Sequence, residues 1–206
     1  MSSQEFELIM KKPNEQRSDD ELYLQLLQTS CIKIILEKCV EFVTQNGFNL
    51  EYVFDQFKTY EICLAAVKQN GLALEFVPER LKVLEILLAA VESNGLALKY
   101  VPEEMKNDKI CDTAVLQNGL ALEFVDSSSK SYGLCYEAVD SNGLALEFVD
   151  EQFLNDELCK KAVQRNPLSI RFIKDVDLLS VCIDDFIEKK VQKRVSEIQK
   201  KIMEHY

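Results

Sequence analysis

The sequence predicts an all-α fold. The expected form is a right-handed α-solenoid of about five to six two-helix repeats, each 24 residues long, between N- and C-terminal capping helices. Three observations predict it. Asn-Gly occurs at Asn46, Asn70, Asn94, Asn118 and Asn142, always 24 residues apart, and Asn166 follows in step. A fixed period of this size marks stacked supersecondary modules. The five full units carry no insertion or deletion, and each repeats one apolar pattern. With the Asn as position 1, position 5 is Leu in five units and Ile170 in the sixth. Position 7 is always aromatic (Tyr52, Phe76, Tyr100, Phe124, Phe148, Phe172), position 8 is Val until Ile173, and positions 21 and 22 are Ala-Val in five units.

The elements follow from the N-terminus. Residues 1–17 are polar, hold Pro13 and lack periodicity, so a mobile segment is expected. Residues 18–45 read as N-terminal capping helices. Ser18-Asp19-Asp20-Glu21 looks like a capping box before a helix over Leu22–Gln28, and a longer helix runs from Ile32 to Thr44. Cys39 and Val43 fall on positions 18 and 22 of the register extended backwards, as in a half-unit closing the stack.

Residues 46–173 form the solenoid. Each unit opens with a short helix over about positions 2 to 8, too short to stand without packing. Pro78, Pro102, Asp126 and Asp150 mark its exit. The second helix carries apolar residues at positions 17, 18, 21 and 22, one stripe at helical spacing. Position 14 supplies N-caps in Thr59, Asn107, Ser131 and Asn155, with Val83 the exception. The recurrent Asn has two readings: a left-handed end to the long helix or an N-cap of the short one. Pro167, which replaces Gly after Asn166, favours the N-cap, because Pro suits the first helical position.

Residues 174–206 read as a C-terminal capping helix, with Leu179, Ile183, Ile187, Val191, Val195, Ile198 and Ile202 in a stripe. Three roles are open for it: a cap on the last unit, a projecting coiled-coil or dimer arm, or a basic membrane-surface helix.

Composition narrows the function classes. The net charge is −11, a poor basis for direct nucleic-acid binding. No apolar run is long enough to span a membrane, and no signal peptide is evident. Of seven cysteines, five (Cys39, Cys63, Cys111, Cys135, Cys159) share position 18, where Leu87 fills the remaining slot. Layers about 8–10 Å apart cannot bridge such a column by disulfides or zinc. Free core thiols suit a reducing compartment, so a cytoplasmic location is expected. The only His is His205, near the terminus, and there is no phosphate-binding Gly-rich loop. Catalysis, cofactor and metal are therefore not expected.

A protein partner is. Acid accumulates at position 6 (Glu51, Glu75, Glu123, Glu147) and position 10 (Asp55, Glu79, Glu103, Glu151), which should form one edge. That edge is either a solvated face or a docking edge for a basic partner. The helix Val83–Val91, Leu84 included, is apolar on nearly all sides, and Leu64 and Leu88 stand where sister helices carry charge. Either the N-terminal segment folds over Leu64 and Leu88, or the patch meets a partner. Tyr132 and Tyr136 extend an aromatic edge along the same side. The partner-binding candidates are thus Leu64, Leu84, Leu88, Tyr132, Tyr136, Glu75, Glu123 and Glu147.

The AV-x-x-NG-x-AL-x-[FY]-V pattern, from about Val43 to Ile173, resembles a helical repeat family known only as a domain of unknown function. The resemblance implies a setting in amoeba-dwelling intracellular bacteria and giant viruses, including effectors delivered into the host cytosol. It implies no activity, cofactor or catalytic residue. The unit length is also similar to that of leucine-rich variant solenoids, in which an α-helix alternates with a tighter short helix. The expected function is that of a non-catalytic adaptor, or an inhibitor or regulator of another protein. The alternatives are an enzyme with an unrecognised surface site and an oligomerising protein acting through its C-terminal helix.

Overall fold

The structure, a computed structural model, describes residues 17–203, and side chains over residues 31–200. The expectations for residues 1–16, for a covering of Leu64 and Leu88 by that segment, and for His205 lie outside the described residues.

The described chain is an α-solenoid without a strand. Seven α-helices set its frame: α1 (Arg17–Gln45), α2 (Tyr60–Gln69), α3 (Leu84–Ser93), α4 (Asp108–Gln117), α5 (Tyr132–Ser141), α6 (Asp156–Arg165) and α7 (Val176–Met203). Between them lie six short helices: Gly47–Tyr52, Gly71–Phe76, Gly95–Tyr100, Gly119–Phe124, Gly143–Phe148 and Pro167–Phe172. Successive long helices pack on one another, and so do successive short ones, giving two parallel rows.

Two expectations are corrected. The short helices are six-residue 3-10 helices over positions 2 to 7, tighter and shorter than drawn from the pattern. A third piece follows in four units, a single 3-10 turn at Glu79–Leu81, Glu103–Met105, Ser127–Ser129 and Glu151–Phe153. Pro78, Pro102, Asp126 and Asp150 do follow the short helices, as expected, and are also the N-caps of these turns. Finally, α1 is one continuous helix. Ser18–Glu21 lie inside it instead of capping it, because no Gly or Pro between Arg17 and Gln45 interrupts it.

The Asn serves both helices it joins. Its backbone N–H closes the long helix, as in Asn70 donating to the Ala66 carbonyl at 2.9 Å. Its side chain then accepts from the N–H two residues on, at 3.0–3.1 Å in all six copies. All six Asn residues are extended, with φ between −154° and −146°, so the N-cap reading holds and no left-handed turn is present. Thr59, Asn107, Ser131 and Asn155 cap their long helices by side-chain hydrogen bonds, and Val83 does not.

The core is a column of small layers. Each full unit buries Leu at position 5, Val at position 8 and the stripe at 17, 18, 21 and 22. Each Leu or Ile taken from water contributes about 1.5–3 kcal/mol. The position 7 aromatics are only partly covered, and Tyr52 at the open end is 70% exposed. The layers are thus sealed by aliphatic and thiol side chains, with aromatics at their rim.

Candidate interaction surface

A 3-10 helix has three residues per turn, so side chains at i and i+3 eclipse. That rule sorts each short helix into three rows. Positions 2, 5 and 8 (Gly71, Leu74, Val77 in the second unit) face inward and are buried. Positions 4 and 7 form the flank, with Ala73 fully buried and Phe76 partly so. Positions 3 and 6 (Leu72, Glu75) face outward together. Stacked, position 3 becomes a ladder of half-buried leucines, Leu72, Leu96, Leu120 and Leu144, with Phe48 and Leu168 more exposed at the two ends. Position 6 becomes a charged row beside it.

The result is a groove of about 360 Å³ lined by residues of five successive units. Its floor is the four ladder leucines with Phe124 and Phe148, and Lys99, Glu123, Glu147 and Arg171 stand along it. Glu51 and Glu75 continue that row towards the N-terminus, so four of its six charges are acidic. The two cations lie over neighbouring rings: Lys99 is 4.4 Å from the Tyr100 ring centroid, and Arg171 is 4.6 Å from that of Phe172. Glu75 accepts a hydrogen bond from the Tyr100 hydroxyl at 2.8 Å.

At the last full unit the two acidic columns meet, with Glu147 and Glu151 lining one cleft. The position 10 acids pair with a lysine column at position 13 that the sequence reading passed over. Lys58, Lys82 and Lys106 contact Asp55, Glu79 and Glu103 at 2.5–2.9 Å. Their side chains are only about a tenth exposed, and Lys82, Lys106 and Lys130 also donate to the position 7 carbonyl of the next unit. Lys130, whose unit has Ser127 at position 10, turns to Asp150 of the next unit at 3.2 Å. These lysines tie layer to layer. A strict 24-residue recurrence of Lys was the signal for them.

The remaining candidates lie on the row of long helices, away from the groove. Leu64 and Leu88 are half-buried and packed against the core, while Leu84 and its neighbour Val83 are 48% and 44% exposed. Asp108 and Asp112 occupy the equivalent positions of the next helix, so the tyrosines do not join this patch. Tyr132 and Tyr136 are engaged with the following unit instead. The Tyr132 hydroxyl donates to Glu157 at 3.2 Å, and Lys161 lies 5.3 Å from the Tyr136 ring centroid. Asp140 accepts from Lys161 and Arg165, which holds its carboxyl below the usual carboxylate range.

At the far end, where the last short helix meets α7, lies a cleft of about 700 Å³. Leu154 replaces the column lysine there, and Leu146, Val149, Phe172, Ile173 and Leu178 line it with Glu147, Arg171, Lys174 and Asp175. Burial pushes the Cys63, Cys135 and Cys159 thiols up to about 11, and Cys111 and Cys182 also upward. Cys31 is exposed on α1. Among the described residues no group of three or more His, Cys, Asp or Glu could hold a metal ion, and no helix is long and apolar enough to cross a membrane.

Fold and surface together define the class: a tandem-repeat helical protein whose outward faces are built from equivalent positions of successive units. The chain belongs to the family described as Domain of unknown function (DUF4116), whose model matches residues 37–82, 84–129 and 133–176. Each match is nearly two of the 24-residue units long, so the family repeat is a pair of the modules seen here. Comparison with curated proteins and with solved structures gives no match.

Proposed function

We propose that this chain is a non-catalytic protein-binding repeat protein, acting as an adaptor or as an inhibitor or regulator of another protein, and that its partner docks in the leucine groove. One observation carries the reading. Position 3 stands on the solvent side of every short helix and is only half-buried in the middle units, yet it is Leu in five units and Phe in the other. A continuous apolar floor with charged margins is what an extended polypeptide or a helix needs from a repeat scaffold. The acidic majority along position 6 favours a partner segment rich in Lys and Arg. The resemblance supplies the setting we adopt, an effector or effector regulator working in a reducing cytosol.

Selection of a displayed random-peptide library on the immobilised chain tests this. Enriched peptides should combine apolar with basic residues. Leu96→Asp with Leu120→Asp should weaken them at least tenfold while far-ultraviolet circular dichroism stays unchanged. Leu84→Asp, on the other row, should leave binding intact. Failure to enrich any peptide, or binding indifferent to the ladder, would contradict the groove. A second surface is favoured by the exposure of Val83 and Leu84. Loss of peptide binding in Leu84→Asp alone would move the docking site there.

A further inference from the structure

The position 13 lysines show which group the seam between two units holds. The ammonium groups of Lys82, Lys106 and Lys130 donate to the carbonyls of Tyr100, Phe124 and Phe148, always 18 residues on, at 2.7–3.2 Å. Each also meets a carboxylate: Glu79 or Glu103 three residues before it, or Asp150 of the next unit. These lysine side chains are only about a tenth exposed, so the stem runs along apolar surface while the head finds oxygen. The seam is a receptor for an alkylammonium, and in these units the chain fills it from within.

At the last seam position 13 is Leu154. The acceptors recur in register: the carbonyl 18 residues on belongs to Phe172, and Glu151 stands three residues before. Leu has no donor for either. The cleft of about 700 Å³ lies here, with Leu154, Glu151 and Phe172 in its lining and Val149, Ile173 and Leu178 as apolar wall. That volume falls within the range of about 300–1,000 Å³ usual for ligand sites. The chain's own cations stand at its margin, Arg171 over the Phe172 ring at 4.6 Å and Lys174 exposed. Net charge does not select the ligand, since Glu147, Glu151 and Asp175 face these two cations. The sister seams select it, because they hold a primary ammonium on a flexible four-carbon stem at the equivalent oxygens. The cleft also continues the leucine groove, for Glu147 and Arg171 line both.

We propose that the cleft is a lysine pocket. A partner polypeptide lying in the groove inserts one lysine side chain there. Its ammonium donates to the Phe172 carbonyl and pairs with Glu151, and its stem lies against Leu154 and Leu178. The pocket stands on the repeat geometry, and only the origin of the lysine rests on the groove being the docking surface. One lysine fixed at this end sets the direction and register of a segment along a ladder whose rungs are alike.

Two probes test the proposal on the full chain. Butylammonium, a lysine side chain without its backbone, is titrated and followed at the methyl resonances of Leu154 and Leu178, with butanol as the uncharged control. Butylammonium should shift these methyls saturably, and butanol should bind about tenfold more weakly or less. Leu154→Lys, which installs the residue of four sister units, should abolish the shifts, now read at Leu178. Glu151→Gln, at an exposed position, should weaken binding, and Lys174→Gln should leave it unchanged. Far-ultraviolet circular dichroism should be the same in all three variants. The second probe is a peptide selected from the displayed library. It should carry a lysine whose replacement by norleucine weakens binding about tenfold in wild type and hardly at all in Leu154→Lys. Absent shifts, equal shifts in Leu154→Lys, or shifts seen only in Lys174→Gln overturn the pocket. A peptide that needs the ladder but tolerates norleucine overturns the partner lysine and spares the groove. Saturation by butylammonium with no peptide enriched supports the pocket and overturns the groove as the source of its lysine.

Discussion

Gly at position 2 is a packing residue, not a turn residue. All five copies are buried and none has positive φ. A Cβ on Gly95 would stand 2.2 Å from the Ala114 carbonyl oxygen of the following long helix. Pro167 replaces it where the position is exposed, so the substitution marks where the regular stack ends. Gly133 is the opposite case, since a Cβ there would meet only the Ser131 Oγ, at 3.9 Å, within the first turn of α5. The same change therefore has opposite signs. Gly95→Ala should cost about 2 kcal/mol or more, while Gly133→Ala should gain a few tenths to about 1 kcal/mol, both read from urea midpoints. The Asn cap was legible because Pro167 constrains the backbone around it. The close approach of Gly was not, because a one-letter period cannot separate a conformational need from a steric one.

At the scale of elements, the eclipsed geometry of the 3-10 helix turns one six-residue string into a core row, a flank and an outward row. Its type was not legible from the pattern alone: Gly-x-x-Leu-x-x-Val has period three, yet six residues are too few to separate three from 3.6. The long helices were, since their stripe at 17, 18, 21 and 22 and the caps at position 14 agree. Val83 holds a backbone of φ −86° and ψ 159°, nearly that of the capping Thr59 at −88° and 166°. It lacks only the oxygen. Val83→Thr should stabilise the chain by about 0.5–1 kcal/mol, measured as a raised denaturation midpoint, because the exposed Val has little packing to lose.

At the scale of the molecule, the stack was legible and the groove was not. The period and the thiol column announce layers. The groove depends on which side of a short helix position 3 faces, and that follows only once the helix type is known. In the sequence, outliers such as Leu88 stand out, whereas the surface is built from a residue that hardly varies. The position 10 acids look like bare charge in the sequence for a related reason: three of them pair with the lysine three residues on, and that pairing appears only once the turn between them is known. Of the candidates, Glu123 and Glu147 line the groove, and Glu75 lies in the same row; Leu84 marks a separate patch.

The central claim is that the chain is a linear stack of interchangeable modules. Deleting residues 94–117, one whole unit, joins Ser93 to Asn118 in register. The shortened chain should keep its helicity per residue by circular dichroism and show a single cooperative thermal transition, at a lower temperature than the parent. A chain that loses its helicity or its cooperative transition on that deletion would contradict it.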